Sequence, residues 1–107
     1  MLYRIPSRSL RSIRDWQRVV TEWAASKGFN WTREDVETML LRMHSEISEA
    51  SEAVRDSKFE DFAEELADTF IRLVNLCEVW NIDLEEEVIK KHNKNLNRPH
   101  LHGRKKK

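Results

Sequence analysis

The chain has 107 residues, of which 39% are hydrophobic and 36% are charged, a composition that fits one folded domain rather than a disordered chain. It contains only two glycines, so a glycine-rich phosphate loop or a dinucleotide-binding fingerprint, which both need clustered glycines, is excluded. The net charge is zero, but residues 19–89 carry six basic and eighteen acidic residues, whereas residues 90–107 carry eight basic and no acidic residues. That separation suits either a polyanion held through metal ions or an acidic helical bundle with a basic tail.

Apolar residues at helical spacing predict a first helix over residues 9–27 and a second helix that reaches about residue 55. Gly28 ends the first helix, and Thr32 caps the second, which has acidic residues in its positive first turn. We expect the second helix to bury one apolar stripe against the core. The stripe consists of Val36, Met39, Leu40, Met43, Ile47, Ala50 and Val54.

A third helix is predicted over residues 59–80. It is apolar on most sides from Thr69 onward, so we expect it to be the central and most buried element. Asp83 and Glu86 form the N-terminal cap of a fourth helix, which reaches about residue 95. We expect residues 99–107 to form a basic, mobile tail.

The pattern contains no strand-like alternation, internal repeat or linker. We therefore expect residues 1–107 to form a single all-α domain, an antiparallel four-helix-bundle-like subunit. No apolar run approaches membrane-spanning length, and the first residues lack the apolar core of a signal peptide. We expect no membrane partner and a cytoplasmic location, with an organelle interior as the alternative.

Two acidic pairs share a three-residue spacing: Glu46 and Glu49 on the second helix, and Glu65 and Asp68 on the third. Residues three apart lie on the same side of a helix, so each pair presents two carboxylates together. Glu49 and Glu65 each lie eight residues from the predicted turn near residue 57, and Glu46 and Asp68 each lie eleven residues from it. An antiparallel hairpin therefore brings the members of each of these two pairs to the same height along the helices. The alternative is that both pairs lie on solvated helix faces.

Four carboxylates this close repel one another unless a cation binds. A donor set of oxygens, with no cysteine nearby, favours Mg²⁺. On the third helix the acidic pair continues into a polar stripe that contains Asp61, Arg72 and Asn75. A polar stripe on a central helix needs either a partner or a cleft.

The order E-x-x-E, then fifteen residues, then E-x-x-D resembles the signature of the all-α nucleoside triphosphate pyrophosphohydrolases of the MazG-like superfamily. The resemblance continues in a K-x-x-x-N-x-x-R-P pattern at the end of the fourth helix and covers about residues 36–103. It implies hydrolysis of (deoxy)nucleoside triphosphates at the α–β phosphate bond, which yields a nucleoside monophosphate and pyrophosphate. It also implies a Mg²⁺ cofactor, with Mn²⁺ as a substitute, and a house-cleaning role in the nucleotide pool.

The resemblance also assigns roles to individual residues. The two acidic pairs would be the metal ligands and catalytic acids, with one of the glutamates orienting or deprotonating the attacking water. Lys91, Asn95 and Arg98 would bind phosphate oxygens as charge-assisted donors. The alternative for these three is a basic helix end that is stabilised by the helix dipole.

Trp23, Phe29 and Trp31 cluster around the first link between helices. The resemblance implies that Trp23 and Trp31 stack on the substrate base, and the alternative is that they pack in the core or at an interface between chains. Four tryptophans and a largely apolar third helix exceed what one small core can bury. We therefore expect a homodimer or homotetramer, as the resemblance also implies.

A non-enzymatic function is the main alternative: an acidic helical dimerisation or nucleic-acid-associated module that contacts phosphates through its basic ends. An enzyme needs Mg²⁺ and releases pyrophosphate. Such a module instead binds nucleic acid with an affinity that depends on salt and does not depend on the acidic pairs. We favour the enzyme, with a nucleoside triphosphate rather than nucleic acid as its partner.

Overall fold

The computed structural model describes residues 12–99, and within that range every regular element is helical. Four α-helices follow one another along the chain, and a short 3-10 turn at Arg33–Asp35 precedes the second of them. The helices are α1 Ile13–Ser26, α2 Val36–Arg55, α3 Phe59–Val79 and α4 Leu84–Leu96. The all-α prediction is confirmed for these residues, whereas the predicted basic tail falls almost wholly outside them.

Capping side chains determine where the helices begin. Ser12 is extended and its hydroxyl accepts a hydrogen bond from the Asp15 N–H, so α1 begins at Ile13 and not at the predicted residue 9. At the start of α2 the Asp35 carboxylate accepts from the Thr32 N–H at 2.8 Å, and Asp83 accepts from the Glu86 N–H at 3.2 Å at the start of α4. The predicted cap of α4 is confirmed, whereas Thr32 caps the 3-10 turn Arg33–Asp35 that leads into α2 and not α2 itself.

Residues with positive φ end three of the helices and turn the chain. Gly28 has a φ of 92° after α1, Ser57 has a φ of 56° after α2, and Asn81 has a φ of 53° after α3. The turn around Ser57 is short, so α2 and α3 run antiparallel side by side, as predicted.

α3 is the central helix, as predicted, because it packs against both α1 and α2. Val74 is fully buried there and Cys77 is 5% exposed. The predicted buried stripe of α2 is wrong in part, since Leu40, Ile47 and Val54 are each about half exposed. Two of the four buried residues of α2 are alanines, whose small side chains let α2 and α3 approach closely. Its buried residues are Met39, Glu46, Ala50 and Ala53.

α4 lies outside the three-helix core, and none of its residues, from 84 to 96, is buried. It packs mainly against α1 through the fully buried Gln17. The Gln17 amide accepts from the Leu84 N–H and donates to the Ile82 carbonyl and to Glu78, at 2.8–3.1 Å. The single chain therefore does not close the four-helix bundle that the sequence predicts, because α4 has too few apolar contacts with the core. No helix in residues 12–99 has the length and apolar character needed to cross a bilayer.

Candidate active site

The α2–α3 hairpin brings three of the four predicted acids together. Glu46, Glu49 and Glu65 each offer one carboxylate oxygen, and these oxygens lie within 4.8 Å of one another. Glu46 is buried, Glu65 is half-buried and Glu49 is exposed, so the cluster runs from the helix interface outward. The matched distances from the turn therefore predicted this convergence correctly.

Asp68 lies on the wall of the same cavity but outside the group of three. The cavity has a volume of about 490 Å³ and lies between α2 and α3 on the side of the Ser57 turn. Lys58 is the one basic side chain that the described part of the chain contributes to its lining. The other lining residues are Glu46, Glu49, Glu52, Ala53, Asp56, Asp61, Glu64, Glu65 and Asp68.

Four of these acids were not predicted as site residues, namely Glu52, Asp56, Asp61 and Glu64. Each of them lies three or four positions from a predicted site residue or from another of the four. They could have been predicted from the sequence by following the same face of each helix towards the turn. Their positions make the cavity a strongly acidic cleft.

Loss of hydration and contacts between carboxyl groups raise the affinity of two glutamates of the cluster for protons. The pKa of Glu65 is raised to about 7, and the largest cause is loss of hydration. A hydrogen bond with Glu49 and the negative charges of Glu49, Glu46 and Asp68 raise it further. The pKa of Glu49 is also raised, chiefly by its hydrogen bond with Glu46. A divalent cation would relieve this repulsion, and a donor set of carboxylate oxygens beside open volume fits a hard ion such as Mg²⁺.

Arg72 joins this acidic cavity to a second pocket. Its Nε donates to Glu46 Oε2 at 3.0 Å, so the buried carboxylate has a charged partner. Arg72 also lines a pocket of about 210 Å³ between α1, α2 and α3, as does Asn75 one turn further along α3. The polar stripe predicted on α3 therefore finds both a partner and a cleft.

The second pocket has aromatic walls. The rings of Phe29 and Trp31 stack with centroids 6.0 Å apart, and the Arg42 guanidinium lies 5.5 Å from the centroid of Trp31. Trp23 lines the same pocket and is 45% exposed. Trp23 and Trp31 therefore line one pocket together with Arg72.

The predicted phosphate donors are not brought to the acidic cavity of their own chain. Lys91, Asn95 and Arg98 are exposed on and just after α4, and none of them lines that cavity. The reason is that α4 packs mainly against α1, whereas the acidic cavity lies between α2 and α3.

The profile of the MazG nucleotide pyrophosphohydrolase domain matches residues 34–102. The chain belongs to the MazG family. The matched MazG segment contains the acidic cluster and the α4 donors, whereas α1 lies before it. Membership implies nucleotide pyrophosphohydrolase activity and dependence on a metal ion, which fits the carboxylate cluster. No curated protein matches this MazG chain in a sequence search.

Proposed function

We propose that the protein is a Mg²⁺-dependent nucleoside triphosphate pyrophosphohydrolase. It would split the α–β phosphate bond of (deoxy)nucleoside triphosphates and so remove unwanted nucleotides from the pool, in the cytoplasm where these nucleotides are abundant. The observation that carries the proposal is the convergence of Glu46, Glu49 and Glu65 from two helices of a MazG domain.

The acidic cavity would hold the triphosphate through metal. Glu46, Glu49, Glu65 and Asp68 would be the ligands of Mg²⁺ or Mn²⁺, which when bound neutralises phosphate charge and stabilises charge that develops in the transition state. One of the glutamates would accept a proton from the attacking water. The water oxygen forms the new bond to phosphorus, the bridging P–O bond breaks, and pyrophosphate leaves.

The aromatic pocket would hold the base. Trp23 and Trp31 offer flat apolar surfaces on which a nucleobase can stack, and the pocket adjoins the acidic cavity at Arg72. This arrangement would place base and phosphates in two neighbouring compartments of one chain.

A second chain would complete the phosphate site. Lys91, Asn95 and Arg98 do not line the acidic cavity of their own chain, yet α4 presents them on an exposed helix. In a homodimer or homotetramer, α4 of one chain would reach the acidic cavity of its partner and neutralise phosphate charge there.

The test is a panel of standard and modified nucleoside triphosphates, incubated with the purified protein and Mg²⁺. We expect pyrophosphate and nucleoside monophosphate as products, and no turnover in EDTA. Products of orthophosphate and nucleoside diphosphate would contradict the assigned bond. Salt-dependent binding of nucleic acid, with no hydrolysis at all, would favour the non-enzymatic module instead.

A further inference from the structure

Asn75 occupies a distinctive place in the aromatic pocket. It is 8% exposed, it lines the pocket from α3, and the Thr21 hydroxyl on α1 donates to its Oδ1 at 3.0 Å. Thr21 lies before the segment that matches the MazG profile, so this contact depends on a part of the chain to which the family match assigns nothing.

The other half of the Asn75 amide is left for a ligand. Among residues 12–99, no acceptor forms a hydrogen bond with Asn75 Nδ2. In the same residues, Trp80 Nε1 is the only fully buried side-chain nitrogen or oxygen that lacks a hydrogen-bond partner, so Asn75 Nδ2 is not fully buried. Asn75 also lines the aromatic pocket, so the two N–H donors of this nitrogen are accessible to a bound molecule while Thr21 holds Oδ1. A buried amide that lacks an acceptor is costly, so an acceptor on a bound molecule would gain a hydrogen bond that the free protein lacks.

The position of Asn75 along α3 fits the far end of a bound nucleotide. Asp68 in the acidic cavity and Asn75 in the aromatic pocket are separated by about 10 Å along the helix axis. That separation is close to the length of a nucleoside. If the phosphates lie at the acidic cavity and the base lies against Trp23 and Trp31, the base edge furthest from the sugar reaches Asn75.

We propose that Asn75 determines base specificity by donating its amide N–H to an oxo group on the far edge of the base. This inference rests on the proposed function and names its substrate class. The pocket selects bases with an oxo group there, such as uracil, thymine or hypoxanthine, over bases of the same shape with an amino group, because an amino group offers a second donor to Nδ2.

Matched substrate pairs isolate this effect. dUTP and dCTP carry an oxo or an amino group at one position of the same ring, and inosine and adenosine triphosphates form the equivalent purine pair. We expect wild-type protein to prefer the oxo member of each pair in kcat/KM. Asn75→Asp replaces the donor by an acceptor. We expect it to lower the ratio of kcat/KM for the oxo substrate to kcat/KM for the amino substrate by at least about threefold.

Two further substitutions test the orientation of the amide without altering Asn75. Thr21→Val removes the hydroxyl that fixes Oδ1, so we expect the preference to weaken towards equality. Thr21→Ser keeps the hydroxyl and should keep the preference. Asn81→Asp makes the same chemical change at an exposed position outside both cavities and should leave the ratio unchanged.

Binding of dUMP and dCMP, followed by tryptophan fluorescence, gives a readout that does not need turnover. If the protein releases no pyrophosphate but Asn75→Asp reverses a preference for dUMP, the proposed function fails and the role of Asn75 stands. If triphosphates are hydrolysed but the ratios of wild type, Asn75→Asp and Thr21→Val are the same, the role of Asn75 is overturned and the enzyme stands. A wild-type preference for the amino member would also overturn it.

Discussion

Glu46 differs from the other acids of the cavity because it is buried and already paired with a cation. Its side chain is 11% exposed and its carboxylate accepts from Arg72 Nε, whereas Glu49 is exposed. A metal ion would therefore compete with Arg72 for Glu46, so the free protein and the metal-bound protein need not share the same ion pair.

Replacing Arg72 tests this competition. Arg72→Ala leaves a buried carboxylate without a partner, and we expect it to lower the free energy of unfolding by about 1–3 kcal/mol in EDTA. Mg²⁺ should recover part of that loss, because a cation at the cluster replaces the missing charge. Urea unfolding with and without Mg²⁺ measures both effects, with Arg55→Ala as the control on an exposed part of α2. An equal loss in the two conditions would argue against a cation at Glu46.

The raised pKa of Glu65 gives the metal-free protein a characteristic pH dependence. The pKa of Glu65 is about 7 in the folded chain, compared with an ordinary value of 4.5. Between pH 4.5 and pH 7 the folded state therefore keeps a proton on Glu65 that the unfolded state has released. The contribution of Glu65 to stability is therefore full below about pH 4.5, falls as pH rises to 7, and is constant above it. Melting temperatures from pH 5 to 8 in EDTA should show this decline, and Glu65→Gln should reduce it. Glu22→Gln on α1 serves as the matched control; an unaltered decline in Glu65→Gln would assign it to other groups.

Removal of single ligand charges tests the cluster directly. We expect Glu49→Gln and Asp68→Asn each to lower kcat by about 100-fold or more while circular dichroism stays unchanged, because neither side chain is part of the core. Glu60→Gln on the exposed side of α3 should keep most of the activity. Since Asp68 lies outside the group of three, a mild effect of Asp68→Asn alone would restrict the ligand set to the three glutamates.

Among the elements, the α2–α3 hairpin was the most predictable and the face of α2 the least. Capping residues and the turn near residue 57 were visible in the sequence, and acids at matched distances from that turn had to meet. The buried face of α2 was not visible, because apolar residues occur on more than one side of it. The contact with α3 was decided by Ala50 and Ala53, whose small side chains permit close approach, and not by the larger Leu40 and Ile47.

A substitution at this contact checks that assignment. Ala50 is 5% exposed and lines none of the described cavities, so we expect Ala50→Leu to push α2 away from α3 and to lower the free energy of unfolding by about 1–3 kcal/mol. Ser51→Leu, on the exposed side of the same helix, should change stability by much less. Urea denaturation of the two variants gives the comparison, and equal stabilities would mean that the helices do not meet at Ala50.

At the scale of the whole molecule, the single chain leaves much apolar surface uncovered. Leu41 is 67% exposed, Phe59 is 63% and Leu96 is 68%, and further apolar side chains on α2, α3 and α4 are about half exposed. The sequence could indicate an oligomer from this excess of apolar residues, but not which faces pair, because that choice depends on the fold of each subunit. The same limit explains why the α4 donors could not be placed.

We expect light scattering after size exclusion at micromolar concentration to give a dimer or tetramer. Ile47→Glu places a charge on exposed apolar surface of α2 and should shift the protein towards smaller species, whereas Ser51→Glu should not. A stable, fully active monomer would refute both the assembly and the shared phosphate site.

Mixing two inactive variants tests whether α4 serves a partner chain. Glu65→Gln disables the acidic cavity and Lys91→Ala disables the donor, so in a mixed dimer one of the two sites regains both wild-type residues. After subunit exchange at equal concentrations, recovery of about a quarter of the wild-type activity is expected for random pairing. No recovery, despite exchange shown by mass spectrometry, would place Lys91 at the site of its own chain or outside any site.

Gln17 has a practical consequence for anyone who divides this protein by its family match. A polypeptide shortened to residues 34–102 begins after α1, so it loses the Gln17 amide that ties α1 to the α3–α4 link, together with Thr21, Trp23 and the packing of α1 against α3. Such a fragment would expose the central helix to water, and we expect it to aggregate on expression. We therefore expect the smallest stable unit to include α1, although the segment that matches the MazG profile begins only at residue 34.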